Sequence, residues 1–192
     1  MCKNKTDSLR ILIAISLFYL LSFPMNSWLS ATMPRHQLIQ MPAMLAIGMV
    51  LARTYPRLKI KDISWGIALL IFIMFSLIFW MLPHSIDYAI INIKFNRVMH
   101  VNMIICGLFL IAVLRSTLFE VRILFLEMLS AMLLATGITL RTFDTLLCSS
   151  FNISQQKQTG TYLILIGVIL FAYTFITFFS MTLIPSEGSN VE

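Results

Sequence analysis

Long apolar runs, separated by short charged stretches, constrain this chain more than any other feature of its sequence. Of the 192 residues, 59% are hydrophobic and 11% are charged, and the mean hydropathy is +0.90. Water-soluble domains average about 45–50% apolar and about 25% charged residues. Because a soluble core cannot bury such an excess of apolar side chains, the composition predicts an integral membrane protein.

Six segments are long and apolar enough to cross a bilayer as helices, for which about 20 residues are needed. The alternating pattern of a membrane strand is missing, so we predict an all-α bundle of six transmembrane helices. The first segment has a basic start like a signal peptide, but its apolar run exceeds the usual h-region of about 7–15 residues. We therefore keep it as a span. The chain is predicted to form one membrane domain over 1–192, with a flexible tail at 185–192 and spans at 11–30, 33–52, 64–82, 98–114, 123–140 and 161–184.

The basic residues predict the orientation of these spans. Positive charge gathers in the short cytoplasmic loops of multi-pass proteins. With the N-terminus inside, nine basic residues fall on the inner side and five on the outer side, which predicts N-in and C-in in the inner or plasma membrane of the cell. The same loops explain the net charge of +6 without a nucleic-acid partner. The inner residues are Lys3, Lys5, Arg10, Arg53, Arg57, Lys59, Lys61, Arg115 and Arg122, and the outer residues are Arg35, Lys94, Arg97, Arg141 and Lys157.

The unusual polar side chains gather at the outer end of the predicted bundle. His36 opens the second segment, His84 and Asp87 follow the third, and His100 begins the fourth. Ionisable residues near membrane depth are by default candidates for function. Pro42 adds a second irregularity, because it frees a backbone carbonyl near Leu38 and bends the helix that carries His36. That bend either tilts His36 inward or serves packing alone.

Methionines accompany two of the histidines. Met33 lies about one helical turn before His36, and Met99 and Met103 flank His100. Imidazole and thioether suit copper, and thioether suits Cu(I) in particular. The alternative is that the histidines are interfacial hydrogen-bonding residues and the methionines are core fillers. The predicted metal ligands are His36, His100, Met33, Met99 and Met103, with Asp87 as an orienting or neutralising carboxylate.

Three stretches, taken in order, resemble the CtaG-type membrane proteins, which are associated with assembly of the copper centres of cytochrome c oxidase. TMPRHQLIQMPAMLAIG is similar to that family's second-segment signature, His-Met-x-Gln-His followed by a run ending in Ala-Pro-Pro-Leu-Leu-x-x-Gly. FWMLPHSIDYAIINIKFNRVMH resembles its succession of Trp-His-x-Pro, Tyr-Asp-x-Ala and His-x-x-x-His. SQQKQTGTYLILIGV resembles its Asp-Gln-Gln-x-x-Gly entry to a late helix. The resemblance runs from Thr32 to Tyr173.

The resemblance implies copper handling at the outer face and a respiratory oxidase subunit as partner. The chain departs from the family where histidines are paired one turn apart, since Thr32 and Asn96 stand in place of the first histidine of each pair. Met81 likewise replaces a histidine, and Gln155 replaces an aspartate. The residues that match the family's motifs are Met33, His36, Pro42, Gly48, Pro83, Asp87, His100, Gln156 and Gly160.

The sequence contains no P-loop, GxSxG, HExxH or dinucleotide fingerprint, so we predict that the protein is not an enzyme. One alternative to copper handling is a non-catalytic subunit or scaffold of a membrane oxidase, in which the small residues of SAMLLATG and CGLFLIA permit close helix approach. Another is a b-type cytochrome with His36 and His100 as axial haem ligands. Asn96 and Gln156 are candidates for fixing the imidazole tautomers. Three cysteines, in no metal-type spacing, are interpreted as small apolar fillers: Cys2, Cys106 and Cys148.

Overall fold

The computed structural model describes residues 2–54, 60 and 62–183, with side chains from residue 7 to residue 181 of those ranges. Every regular element within them is a helix, which confirms the all-α class. The predicted tail, 185–192, lies outside the described residues. In chain order the elements are α1 (Cys2–Ser22), α2 (Asn26–Ser30), α3 (Met33–Arg35), a π-helical turn (His36–Gln40), α4 (Met41–Thr54), α5 (Ile63–Met81), α6 (Pro83–Ile91), α7 (Ile93–Leu114), α8 (Phe119–Thr142) and α9 (Ile153–Leu183).

Four of these helices, α5, α7, α8 and α9, are long and apolar enough to cross a membrane, which suggests a multi-pass membrane protein. They coincide with the third to sixth predicted spans. However, α7 begins at Ile93 rather than at 98, and α9 begins at Ile153 rather than at 161. Measuring spans from one charge to the next cut these helices short, because Lys94, Arg97 and Lys157 lie within their first two turns. A carboxamide marks the true start of α7, where Asn92 Oδ1 accepts the N–H of Lys94 at 3.0 Å.

The prediction of one continuous helix for the first span, 11–30, is wrong. α1 ends at Ser22, a turn follows, and the short α2 begins at Asn26. Pro24 explains the break, because proline has no N–H to donate and restricts the residue before it. After the break, the side chain of Asn26 at the start of α2 is buried in the bundle, with 9% of its surface exposed.

The second predicted span is helical from Met33 to Thr54 but widens into a π turn at its outer part. There the N–H of Met41 bonds the carbonyl of His36, five residues earlier instead of four. Pro42 follows immediately and cannot donate, so a carbonyl one turn earlier has no helical partner. The irregularity predicted from Pro42 is therefore a wide turn before the proline. π turns occur frequently at functional sites.

α4 and α7 pack backbone against backbone. A Cβ added at Gly48 would overlap the carbonyl of Ile104, and one added at Gly107 would overlap the carbonyl of Leu45. Small residues allow this approach in membrane helices, where dispersion contacts replace the hydrophobic effect as the driving force. Gly48 lies about two turns beyond Gln40, and Gly107 about two turns beyond His100. The crossing therefore brings the residues before it, on the two helices, to a common level.

α8 and α9 form a helical hairpin of similar construction. A Cβ at Gly137 would lie 2.8 Å from the carbonyl of Gly160. The hydroxyl of Ser130 donates to a backbone carbonyl of α9 at 2.9 Å, and that of Thr174 donates to Glu127. The small residues of SAMLLATG and CGLFLIA that were predicted to permit packing against an oxidase thus include Gly107, Ser130 and Gly137, which contact other helices of this chain.

We expect Gly48→Ala to lower the free energy of unfolding by about 1–3 kcal/mol, because the new methyl group would force the α4 and α7 backbones apart. Thermal unfolding of the protein in detergent measures the loss. Gly66→Ala is the matched control, since its Cβ would meet only the side chain of Thr117, at 3.2 Å. Equal stability of Gly48→Ala and Gly66→Ala would contradict the tight crossing.

Candidate functional site

Two buried imidazoles lie where the end of α1, the π turn and the first turns of α7 meet. His36 belongs to the π turn and His100 to α7, and both are 0% exposed. Hydrogen bonds of Gln40, Asn26 and Asn96 link the π turn that carries His36 to α7, which carries His100. The prediction that both histidines face into the bundle, rather than the lipid, is therefore confirmed.

A hydrogen bond from the π turn itself fixes the ring of His36. Its Nδ1 lies 2.7 Å from Oε1 of Gln40, while Nε2 of Gln40 donates to Oδ1 of Asn26 at 2.9 Å. Because the amide nitrogen of Gln40 is engaged elsewhere, its oxygen is the atom that faces the ring. His36 therefore carries its proton on Nδ1, and its Nε2 has a free lone pair.

Asn26 joins three elements through one oxygen atom. Its Oδ1 accepts from Gln40 of the π turn and, at 2.8 Å, from Nδ2 of Asn96 on α7. Inside a bilayer no water competes for such groups, so each polar atom needs a partner within the protein. Mutual pairing of the three carboxamides meets much of that need and fixes the positions of α2, the π turn and α7.

The last residue of α1 supports the second imidazole. Oγ of Ser22 lies 3.0 Å from Nδ1 of His100, and both groups are buried. A hydroxyl can accept or donate in this position. When Ser22 accepts, His100 takes the same tautomer as His36, with a lone pair on Nε2.

Three side-chain atoms of this network have no hydrogen-bond partner among the described residues: Nε2 of His36, Nε2 of His100 and Oδ1 of Asn96. Unsatisfied buried polar atoms are rare in proteins and each calls for an explanation. Three of them in one network give the site two imidazole nitrogens and a carboxamide oxygen with which to hold a further atom or molecule. We refer to Ser22, Asn26, His36, Gln40, Asn96 and His100 as the histidine network.

The methionines predicted as ligands lie on two sides of the π turn. Met99 and Met103 are buried in a cluster with Met41 and Met44, in which α4 and α7 pack together. Met33 is also fully buried, but in another cluster, which it shares with residues of α6, α8 and α9. The structure thus packs Met99 and Met103 against α4 and packs Met33 toward the α8–α9 hairpin.

Asp87 holds the loop between α8 and α9. Its carboxylate accepts the N–H of Ser149 at 2.7 Å, that of Ser150 at 2.9 Å and the hydroxyl of Ser149 at 3.0 Å. Burial by itself raises the pKa of Asp87, but these hydrogen bonds outweigh it and lower the pKa below the ordinary value. Within the described part of the chain, no three His, Cys, Asp or Glu side chains converge on one point where an ion would sit.

Other predicted site residues take structural positions. His84 lies exposed in the first turn of α6. The three hydrogen bonds of Gln156 go to the backbone of Leu140, Thr145 and Leu147, at 3.0–3.4 Å, so this side chain ties the α8–α9 loop together. Its predicted role in fixing an imidazole tautomer is wrong. Asn96 does belong to the network. It donates to Asn26, which also accepts from Gln40, and Gln40 is the hydrogen-bond partner of His36.

An ion pair and two buried thiols lie outside the network. Asp144 and Lys157 form an ion pair at 2.6 Å, and this pairing lowers the pKa of Asp144. Burial, with Asp87 nearby, raises the pKa of the Cys148 thiol to about 12, which keeps it protonated. Cys106 is fully buried as well, so both cysteines are the apolar fillers predicted. The side chain of Cys2 lies outside the described residues.

Sequence reasoning missed the three residues that organise the site: Ser22, Asn26 and Gln40. Two patterns pointed to Gln40 and Asn26. Gln40 follows His36 by four residues, a spacing at which side chains on a helix meet. Asn26 lies two residues after the proline that ends α1, where a polar side chain satisfies groups left open by the break.

Comparison of the chain with known protein families, with curated proteins and with solved structures finds no match. The motif resemblance and the chemistry of the histidine network are therefore the grounds for a functional proposal.

We expect Asn26→Ala to lower the free energy of unfolding by about 1–3 kcal/mol, because it leaves buried N–H groups of Gln40 and Asn96 without their acceptor. The measurement is thermal or denaturant unfolding in detergent. Gln158→Ala, at an exposed carboxamide of α9, is the control and should leave stability nearly unchanged. An Asn26→Ala protein as stable as this control would show that the network does not hold the helices together.

Proposed function

We propose that this protein is a multi-pass protein of the cell membrane that holds a copper ion, or passes one on, at the paired imidazoles of His36 and His100. One observation carries the proposal: both rings are fully buried, both are hydrogen bonded at Nδ1, and both leave Nε2 without a partner. Metal-binding histidines are arranged in this way, with one ring nitrogen fixed by a hydrogen bond and the other free for the ion.

The kinds of donor atom favour copper over other metals. The network and its neighbouring cluster offer imidazole nitrogen, carboxamide oxygen and thioether sulfur, without a thiolate or carboxylate among their described side chains. Structural zinc sites use four Cys, His or carboxylate ligands, and calcium needs six to eight oxygens. Imidazole and thioether suit copper, and a neutral ligand set suits the single charge of Cu(I), which is less unfavourable to bury than a double charge. Met99 and Met103 would supply the thioethers.

The motif resemblance supports a setting for this chemistry. It indicates assembly of the copper centres of cytochrome c oxidase, with a subunit of a respiratory oxidase as partner and no catalysis by the chain itself. Asn96 stands where the family carries a histidine, and its Oδ1 is one of the unpartnered atoms. A carboxamide oxygen would thus take the place of an imidazole nitrogen. This exchange would weaken the binding of copper and make the ion easier to transfer.

We also propose six crossings, with both termini on the inner side. The first crossing consists of α1 and α2, and the second of the helical stretch Met33–Thr54, in addition to the four long helices. The excess of basic residues in the loops assigned to the inner side supports this orientation. In this arrangement the histidine network lies at the extracytoplasmic end of the bundle, where copper arrives for an oxidase.

A labelling experiment tests the orientation. In a Cys2→Ser background, His84→Cys and Glu120→Cys place single exposed thiols at opposite ends of the bundle, because the two remaining cysteines are buried. We expect a membrane-impermeant maleimide to label His84→Cys in intact cells and Glu120→Cys only after lysis. The opposite pattern, or equal labelling of both, would contradict the N-in, C-in topology.

Copper retention tests the site. Protein purified in detergent after loading with Cu(I) without oxygen should carry copper in near-stoichiometric amount, and His36→Ala/His100→Ala should lose nearly all of it. His84→Ala is the matched control, because it removes an exposed histidine at the same end of the bundle. The measurement is metal content per chain, with thermal unfolding of each variant as a check of folding.

Three outcomes would overturn the copper proposal. Equal metal content in the wild type and the double variant would assign the histidines a structural role. Haem absorbance in the purified protein would indicate a b-type cytochrome. A stable stoichiometric complex with an oxidase, isolated from native membranes without bound copper, would indicate a scaffold.

A further inference from the structure

Gln37 follows His36 in the π turn but does not belong to the histidine network. Its side chain is 4% exposed, and neither Nε2 nor Oε1 has a hydrogen-bond partner among the described residues. A primary amide without partners in apolar surroundings is unfavourable, and native proteins usually pair both of its groups. The position of Gln37 therefore suggests a ligand that supplies the missing partners.

Gln37 lines a cavity of about 200 Å³ at the junction of α4, α5, α7, α8 and α9. Among the described residues around this cavity, Gln37 has the one polar side chain. Leu38 and Pro42 lie on the same wall, and the missing N–H of Pro42 leaves a backbone carbonyl of this turn without its helical donor. The cavity is thus apolar except at one end, where a hydrogen-bond donor and acceptors are concentrated.

An apolar groove leads toward this cavity from the lipid. α5 and α8 enclose a space of about 470 Å³ that is lined entirely by hydrophobic side chains, including the exposed Ile71, Phe75 and Leu124. A further space of about 230 Å³ continues along the same two helices. Met81 and Met132 line both this continuation and the Gln37 cavity. The two flexible thioether side chains therefore separate the groove from the amide.

We propose that this protein binds an uncharged long-chain lipid with a hydroxyl head, such as a glyceride or a long-chain alcohol. The head lies at Gln37, and the hydrocarbon chain follows the groove between α5 and α8. A hydroxyl can accept from Nε2 and donate to Oε1, which satisfies both open groups of the amide. Met81 and Met132 move aside to admit the chain, as unbranched methionine side chains readily do.

The head must be neutral. None of the described residues that line the Gln37 cavity, the groove or its continuation is Lys, Arg, His, Asp or Glu. A carboxylate or phosphate would be buried there without a counter-ion, which is strongly unfavourable. The same reasoning excludes fatty acids and phospholipid head groups from the cavity. This inference stands independently of the copper proposal, since Gln37 is not a member of the histidine network.

Binding of glycerol monooleate to the full chain in detergent tests the proposal, with a photoreactive analogue to locate the site and native mass spectrometry to measure affinity. We expect Gln37→Leu to weaken binding by about tenfold or more, the effect of losing a buried hydrogen bond. Gln158→Leu, at an exposed carboxamide of α9, should bind like the wild type. The analogue should label residues of α5 and α8 in the wild type.

Stability measurements separate loss of binding from loss of folding. Without lipid, Gln37→Leu should unfold at a higher temperature than the wild type, because two unpaired polar groups have been removed. Glycerol monooleate should raise the unfolding temperature of the wild type and of Gln158→Leu, but not that of Gln37→Leu. Met132→Trp, which fills the passage and leaves the amide intact, should also weaken binding.

The inference would be overturned by any of three results. The first is that Gln37→Leu binds glycerol monooleate as tightly as the wild type does. The second is that oleic acid or octadecene binds as tightly as the monooleate, with the same dependence on Gln37. The third is that the analogue labels helices other than α5 and α8. Copper retention by Gln37→Leu should equal that of the wild type, so a failure here is distinguishable from a failure of the copper site.

Discussion

The packing of the helices around the histidine network depends on the carboxamide oxygen of Asn26. It accepts from Gln40 and from Asn96, and so ties together three elements that are distant in the sequence. Lipid offers no substitute for these hydrogen bonds, so helices that carry such groups are held where the groups can meet. The positions of both imidazoles follow from this, because Gln40 holds His36, and His100 lies one turn after Asn96 on α7.

Backbone packing complements this polar junction. The glycines of α4 and α7 let the two helices touch about two turns further along, so that the polar end is aligned by contact as well as by hydrogen bonds. The π turn adds the third condition. A π turn holds one residue more than an α-helical turn, and Pro42 prevents the next hydrogen bond from restoring the regular winding. His36 consequently belongs to the histidine network, whereas Gln37 lines the neighbouring cavity, although the two residues are adjacent in the chain.

Hydropathy sufficed to predict the four long helices, because a continuous apolar face is visible in the residues themselves. The burial of His36 and His100 inside the bundle was also predicted, because each lies near the start of an apolar segment at the same end of the predicted bundle. Ser22 escaped prediction because a single hydroxyl at the edge of an apolar run has no distinctive spacing. Gln40 and Asn26 had signals, the four-residue spacing from His36 and the proline break, but neither signal identifies the partner of the amide. Asp87 and Gln156 were predicted near the site because they share its end of the bundle, but their partners are backbone groups of a loop whose course no local pattern reveals.

The ion pair between Asp144 and Lys157 has a consequence for biosynthesis. In the finished fold both side chains are largely exposed, and such a pair contributes little to stability. In the proposed topology, however, the turn that carries them must be translocated through the apolar core of the bilayer during insertion of the last two helices. A close pair of opposite charges is far less costly to transfer than two separate ions. In that topology, a contact formed already in the hairpin would lower the cost of moving both side chains across the membrane.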